Sequence, residues 1–221
     1  MKRDIISSAI GIVVLTLLCG IVYPLFIAGV SQVAFPGNAN GQQIFVDAKL
    51  VGSKIIGQNF GDPVINKKTG KVEMSHGNPV TTPDPHYFQT RPSGTTPADN
   101  AAGSSFANYG PNSTVTLAAI KSNIQTYIAL NGRYYPGGLT AAKVPVDAAD
   151  TSASGIDPEI SIANADIQAY RIAAIRHLSL STVHRLISKY TLGRGLGFSG
   201  EPGVDVLEIN LALNRLSPST R

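Results

Sequence analysis

"IISSAIGIVVLTLLCGIVYPLFIAGVSQVAF", residues 5–35, decides the architecture, because no soluble domain needs an apolar run of this length. Crossing a bilayer takes about 20 predominantly apolar residues. Residues 5–34 supply 30 uncharged positions, about 45 Å of continuous helix. That exceeds the hydrocarbon core, so the helix is expected to tilt or run past the interface. Pro24 withholds an N–H in the second half and predicts a kink. Tyr23 and Phe26 suit the interface at the outer end. A cleaved signal peptide is the alternative. The apolar run is too long for one, no A-x-A precedes a cut, and bulky Leu18 ahead of Cys19 argues against a lipoprotein site. The chain is therefore expected to comprise an anchor over 1–35, helical over about 5–33, and one domain over 36–221. Lys2 and Arg3 flank one side of the anchor, and the other side carries no cation until Lys49. This asymmetry predicts a cytoplasmic N-terminus and an extracytoplasmic domain.

The remaining composition narrows the function. Charged residues are 14% of the 221, against about a quarter in ordinary domains. The net charge of +4 is scattered, which excludes the basic patch that nucleic-acid binding requires. Cys19 is the single cysteine, so no intramolecular disulfide forms.

Beyond the anchor, the spacing of apolar and turn residues predicts a small α+β domain with a short sheet and about three helices. "QQIFVDAKLVGSKIIGQNF" (42–60) holds two short β-type runs broken at Gly52 and Gly57. "HYFQTRPS" (86–93) is a further strand candidate. Between them, residues 61–85 carry turn signals every few positions and read as an irregular insertion, as do residues 94–113. Asn112 or Ser113 caps a helix running to about Leu130. A second helix runs from about Ile162 to Leu178, and a third starts after Ser181 and stops at Gly193. The glycines of "GRGLG" (193–197) follow a helix and read as a flexible joint. In "VDVLEINLALN" (204–214), Leu207, Ile209, Leu211 and Leu213 alternate with Glu208, Asn210 and Ala212, the period of a strand.

"DTSASGIDPEIS" (150–161) concentrates four hydroxyls and three carboxylates. No G-x-S-x-G surrounds Ser152 or Ser154, and no histidine lies within the stretch to serve as base. The economical reading is structural: Ser161 caps the following helix, Glu159 offsets its dipole, and the remaining polar side chains hold backbone groups. His76, His86, His177 and His184 lack zinc-ligand spacing. No phosphate-binding glycine loop is present.

Several stretches together resemble one family, the C subunit of the bacterial Kdp potassium-transporting P-type ATPase. They are "YPL" (23–25), "GSKIIGQNF" (52–60), "YFQTRPS" (87–93), "VPVDAADTSASGIDPEIS" (144–161) and "GFSGEPGVDVLEINLAL" (197–213). The chain departs from the pattern at Glu159, where histidine is common, at Ile162, where a helix-starting proline is usual, and at Asp205, where asparagine is usual. The resemblance implies an accessory subunit of the bacterial cytoplasmic membrane with no transport path, phosphorylation site or catalytic residue of its own. Its implied partners are a channel-like potassium-binding subunit, the P-type ATPase subunit and a small single-span subunit. It also implies a catalytic chaperone that raises the ATP affinity of the ATPase subunit. ATP and potassium would be handled by the complex and no cofactor held by this chain. With the domain outside, an effect on ATP would be indirect. The motif residues Gln58, Arg91, Ser152, Ser154, Asp157, Ser161, Glu201 and Pro202 are thereby implied as structural or partner-contact positions. Two other classes stay open: a membrane-tethered serine hydrolase using Ser152 or Ser154, and a single-span binding module.

Overall fold

A computed structural model describes residues 2–75, 78–95, 98–100, 102–103, 108–110 and 112–217; His76 falls outside them. The chain divides into two compact units, one up to Ser53 and one from Lys54 onward.

The first unit opens with α1 (Lys2–Leu17), a π-helical turn (Leu18–Val22) and α2 (Tyr23–Ala34), which make 33 continuous helical residues. The π turn answers to Pro24. Proline offers no N–H to the turn behind it, and its ring crowds the carbonyl four residues back. Widening the preceding turn, with Tyr23 N–H bonding Leu18 O, relieves that crowding. No residue of α1 or α2 is buried, and the apolar surface runs all round, as a membrane span requires. After α3 (Pro36–Ala39), β1 (Gln43–Val46) and β2 (Lys49–Ser53) form an antiparallel hairpin with Val46 opposite Lys49. Its two turn residues, Asp47 and Ala48, both have positive φ, the backbone that matches strand twist in a two-residue loop.

The second unit begins with a hairpin arm where an irregular insertion was expected. β3 (Gly61–Pro63), β4 (Met74–Ser75), β5 (Asn78–Pro79) and β6 (Thr81–Pro83) pair as β3–β6 and β4–β5. Backbone bonds Val64 N to Val80 O and Val80 N to Glu73 O join the two tiers. The turn residues were legible, but the ladder between them was not. Helix α4 (Thr114–Asn131) is capped by Ser113, and a 3₁₀ turn (Ala141–Lys143) precedes α5 (Val146–Ala149). Then follow β7 (Glu159–Ser161), α6 (Ile162–Ile175), α7 (Leu180–Lys189), β8 (Thr191–Leu192), β9 (Gly203–Asp205) and α8 (Val206–Leu216). β9 lies between β7 and β8 in an antiparallel sheet. Phe88, Ile160, Ile172, Val183, Val204, Ile209 and Leu213 form the centre of the core. The mixed α+β class holds, with α3, α5 and α8 added to the expected helices.

Four further expectations are corrected. Residues 206–216 are helix, not strand. Asp205 caps them by accepting from Glu208 N at 2.7 Å, and the buried positions Val206, Ile209, Asn210 and Leu213 follow a helical spacing. Leu211 is half-buried between these positions, so an apolar alternation overlay the helical period. The third helix starts two residues early, because Ser179, not Ser181, accepts from Thr182 N. His177, at φ 54°, closes the helix before it. The 193–197 stretch is not a flexible joint but one limb of a closed tip, in which Gly195 and Ser199 exchange backbone hydrogen bonds at 2.7 and 2.8 Å.

The fourth correction concerns residues 86–93, which form no strand. Their backbone is satisfied by helix side chains instead of a ladder. Asn210 of α8 accepts from Phe88 N and donates to Phe88 O, both at 2.9 Å. Gln168 of α6 does the same for Gln89, at 2.8 and 3.1 Å. Arg171 donates to Tyr87 O at 3.0 Å and also to Pro85 O. Arg176 donates to His86 O at 2.7 Å and lies over the Tyr87 ring.

Candidate functional site

The loop from Asp150 to Pro158 links α5 to β7, and its hydroxyls bond inward. Ser152 is 1% exposed. Its Oγ accepts from Gly155 N at 2.9 Å and shares a hydrogen bond with Ser154 Oγ at 3.0 Å. Neither partner of Ser152 is a histidine. Ser154 Oγ donates to Asp157 Oδ1 at 2.8 Å and accepts from Ile156 N. Gly155 sits at φ 80°, where a Cβ would be strained. The hydroxyls thus do for the backbone what a ladder does elsewhere.

The loop is clamped from outside by residues 91–93. Arg91 Nη1 donates to Asp157 Oδ2 at 3.0 Å and Nη2 to Thr151 O at 3.1 Å. Ser152 N donates to Pro92 O, and Ser93 Oγ to Gly155 O. From a third direction Gly57 N donates to Ile156 O at 2.7 Å. A Cβ on Gly57 would lie 2.6 Å from Asp157 O, so only glycine fits. Arg91, Ser152, Ser154 and Asp157 therefore meet in one clamp. Gln58 follows the glycine that touches it, with its Oε1 buried and unpartnered.

Ser161 lies at the end of β7 and caps α6, accepting from Asn164 N at 3.1 Å. Asp147 of α5 accepts from Ser161 N and Ser161 Oγ, both at 2.8 Å, and from Asn164 Nδ2 at 3.0 Å. Asn164 Oδ1 in turn accepts from Tyr127 and Gln168. The line ends at Arg171, fully buried, with Nε on Asn131 Oδ1 and Nη2 on Gln168 Oε1. Burial pulls Arg171 down to about 10, so the guanidinium is charged at neutral pH and dispersed over neutral oxygens. Burial also drives the Tyr127 phenol upward. Reading the sequence missed Asp147, Asn164, Gln168 and Arg171. The signal was present in α6, where Asn164, Gln168 and Arg171 recur at the spacing of one helix face.

A cleft of about 250 Å³ opens beside the clamp, bordered by Arg91, Ser93, Asp99, Asn123, Tyr127 and Gln168. Burial raises Asp99 to about 6, against a hydrogen bond from Thr90 at 2.9 Å. Glu201 and Pro202 are elsewhere. Glu201 pairs with Arg194 at 2.6 Å on the exposed segment between β8 and β9. Glu159, expected to offset a helix dipole, stands opposite Asp205 in the β7–β9 ladder. His86 pairs with Asp84 and His184 with Asp166. Chemically, the clamp orders backbone; its serines are buried or committed to neighbouring groups, and its carboxylate is neutralised.

Comparison with known proteins agrees across nearly the full length. Residues 5–215 match the family described as KdpC: K+-transporting ATPase, c chain. The chain is 43% identical over 206 residues to the potassium-transporting ATPase KdpC subunit of Methylococcus capsulatus, covering 93% of this chain and 94% of that one. It is 38% identical over 216 residues to the KdpC subunit of Mycobacterium tuberculosis, covering 98% and 100%. It is 37% identical over 219 residues to the KdpC subunit of Koribacter versatilis, covering 99% and 97%.

Proposed function

The chain belongs to the KdpC family, and from that premise we propose that it is an accessory, non-catalytic subunit of an ATP-driven potassium-uptake complex. The observation that carries this reading is the internal commitment of the clamp. Ser152 and Ser154 hold the 150–157 loop, and Arg91 holds Asp157, so the residues that looked chemical serve as framework. A serine hydrolase would instead present a hydroxyl to a base.

The helix over Lys2–Ala34 anchors the chain in the bacterial cytoplasmic membrane, with the N-terminus cytoplasmic and the folded domain outside. The domain meets a channel-like potassium-binding subunit, the P-type ATPase subunit and a small single-span subunit. It supports assembly and raises the ATP affinity of the ATPase subunit through that assembly, since ATP lies on the opposite side of the membrane. The motif residues act in this scheme by holding the docking surface in shape.

The test is affinity purification of the full chain through a C-terminal tag in mild detergent. A P-type ATPase should copurify with potassium-stimulated ATP hydrolysis, and removing the chain should raise the KM for ATP. Recovery of the tagged chain alone from membranes that contain the pump would refute the reading. So would reaction of Ser152 or Ser154 with a fluorophosphonate probe.

A further inference from the structure

Among the described residues beyond α2, the large apolar side chains with the highest exposure are Leu196 at 91%, Val146 at 79% and Phe198 at 75%. Val146 opens α5, whereas Leu196 and Phe198 sit together at the tip of the segment between β8 and β9, in "GRGLGFSGE" (193–201). An isolated exposed leucine is ordinary. Two large apolar side chains one residue apart on a braced turn are not.

The brace is extensive. Gly195 and Ser199 exchange backbone bonds, Gly197 N reaches Arg194 O at 3.1 Å, and Phe198 N reaches Gly195 O at 3.2 Å. Arg194 closes the stem, donating to Gly200 O at 2.8 Å and Glu201 Oε2 at 2.6 Å. Leu196 holds φ 53°, an unfavourable backbone for a side chain of its size. The fold thus pre-forms a turn that displays Leu196 rather than turning it inward. Preorganisation of this kind lowers the ordering penalty of binding.

The occupant follows from charge and area. The only charges of the tip, Arg194 and Glu201, neutralise each other, so nothing is left over to seek lipid phosphate. The tip also lacks the tryptophan, tyrosine and lysine of interfacial anchors. Two side chains bury a few hundred Å² at most, well short of the roughly 1,000 Å² that a self-standing dimer needs. The contact therefore works where another attachment already brings the surfaces together, as when both proteins are anchored in one bilayer. We infer that the Leu196–Phe198 tip is a knob that seats in an apolar pocket on the extramembrane surface of another membrane-embedded subunit of the same pump. This inference rests on the subunit reading above.

The test uses the full chain in native membranes, with Phe198 replaced by the photocrosslinker p-benzoylphenylalanine. Irradiation should yield one adduct, identified by mass spectrometry as a second subunit of the potassium pump. In parallel, the Leu196→Ser/Phe198→Ser variant should retain its melting temperature, because the tip packs on no core, and lose on the order of tenfold in retention of the ATPase. Adducts to lipid or to a second copy of this chain would overturn the inference, as would no adduct or unchanged retention, while wild-type copurification still upheld the subunit reading. Failure of the wild-type chain to copurify would remove both.

Discussion

Asp205 carries the least comfortable charge in the fold. It is 1% exposed, one oxygen caps α8 and the other has no partner. Burial, with Glu208 and Glu159 adding repulsion against Lys54, raises it to about 6. The unfolded value is lower, so the folded state binds a proton more tightly. Stability from this group is present at low pH and is lost as pH rises from about 4 to 6. Asp99 acts in the same direction. Asp205→Asn keeps the cap and removes the charge. Thermal melting of the full chain in detergent should show Asp205→Asn more stable at pH 7 by about 2 kcal/mol, with the gain vanishing near pH 4. Equal melting at pH 7 would mean that Asp205 is solvated. Ser161 belongs to the opposite class. Ser161→Ala removes a cap and a donor to Asp147, and a loss of about 0.5–2 kcal/mol is expected in the same assay. Potassium-stimulated ATP hydrolysis should then fall only as far as assembled complex falls. Lost activity at full assembly would place Ser161 in the coupling itself.

At the scale of elements, α8 and residues 86–90 explain one another. Asn210 lies on the buried face of α8 because Phe88 needs both a donor and an acceptor there. Asn210→Leu improves apolarity and strips two buried backbone groups of their partners. At about 1–3 kcal/mol per orphaned group, the variant should melt well below the wild type. A rise in melting temperature would show that water replaces the amide. The same pair marks the limit of what was legible in the sequence. The anchor, α4, α6 and the Ser161 cap were readable because length, spacing and capping residues are local signals. The strands expected at 86–93 and 204–214 were misassigned for different reasons. At 204–214 an apolar alternation overlay a helix that the Asp205 cap opens, and at 86–93 the side chains that satisfy the backbone, Gln168 and Asn210, lie far along the chain. Within the candidate site, Ser152, Ser154 and Asp157 were singled out from the sequence as polar framework, and the structure brings them together with Arg91. Their clamp, Arg91, emerged only through resemblance, and Asp147 not at all, since a lone aspartate in a short helix carries no pattern.

At the scale of the whole molecule, the apolar helix and the folded unit answer to different solvents. Leu15→Asp introduces a charge into the exposed apolar surface of α1 and costs roughly 2.5–3.5 kcal/mol at mid-membrane. Membrane fractionation should show reduced insertion, and unaltered insertion would remove α1 from the bilayer. Orientation is tested by Lys67→Cys in a Cys19→Ser background: an impermeant maleimide should label intact spheroplasts, and labelling only after lysis would reverse the topology. The side-chain scaffold around residues 85–90 has one more consequence, in time rather than space. Gln89 waits for a partner 79 residues later and Phe88 for one 122 residues later. A ribosome adding roughly 5–20 residues per second leaves that strand-like segment unmatched for about 6–24 s. Its backbone groups face water, or any passing strand edge, until α8 has emerged. Cotranslational completion is thereby deferred to the last stretch of the message, and a transcript cut short before codon 206 would yield a chain whose core lacks Val206, Ile209 and Leu213.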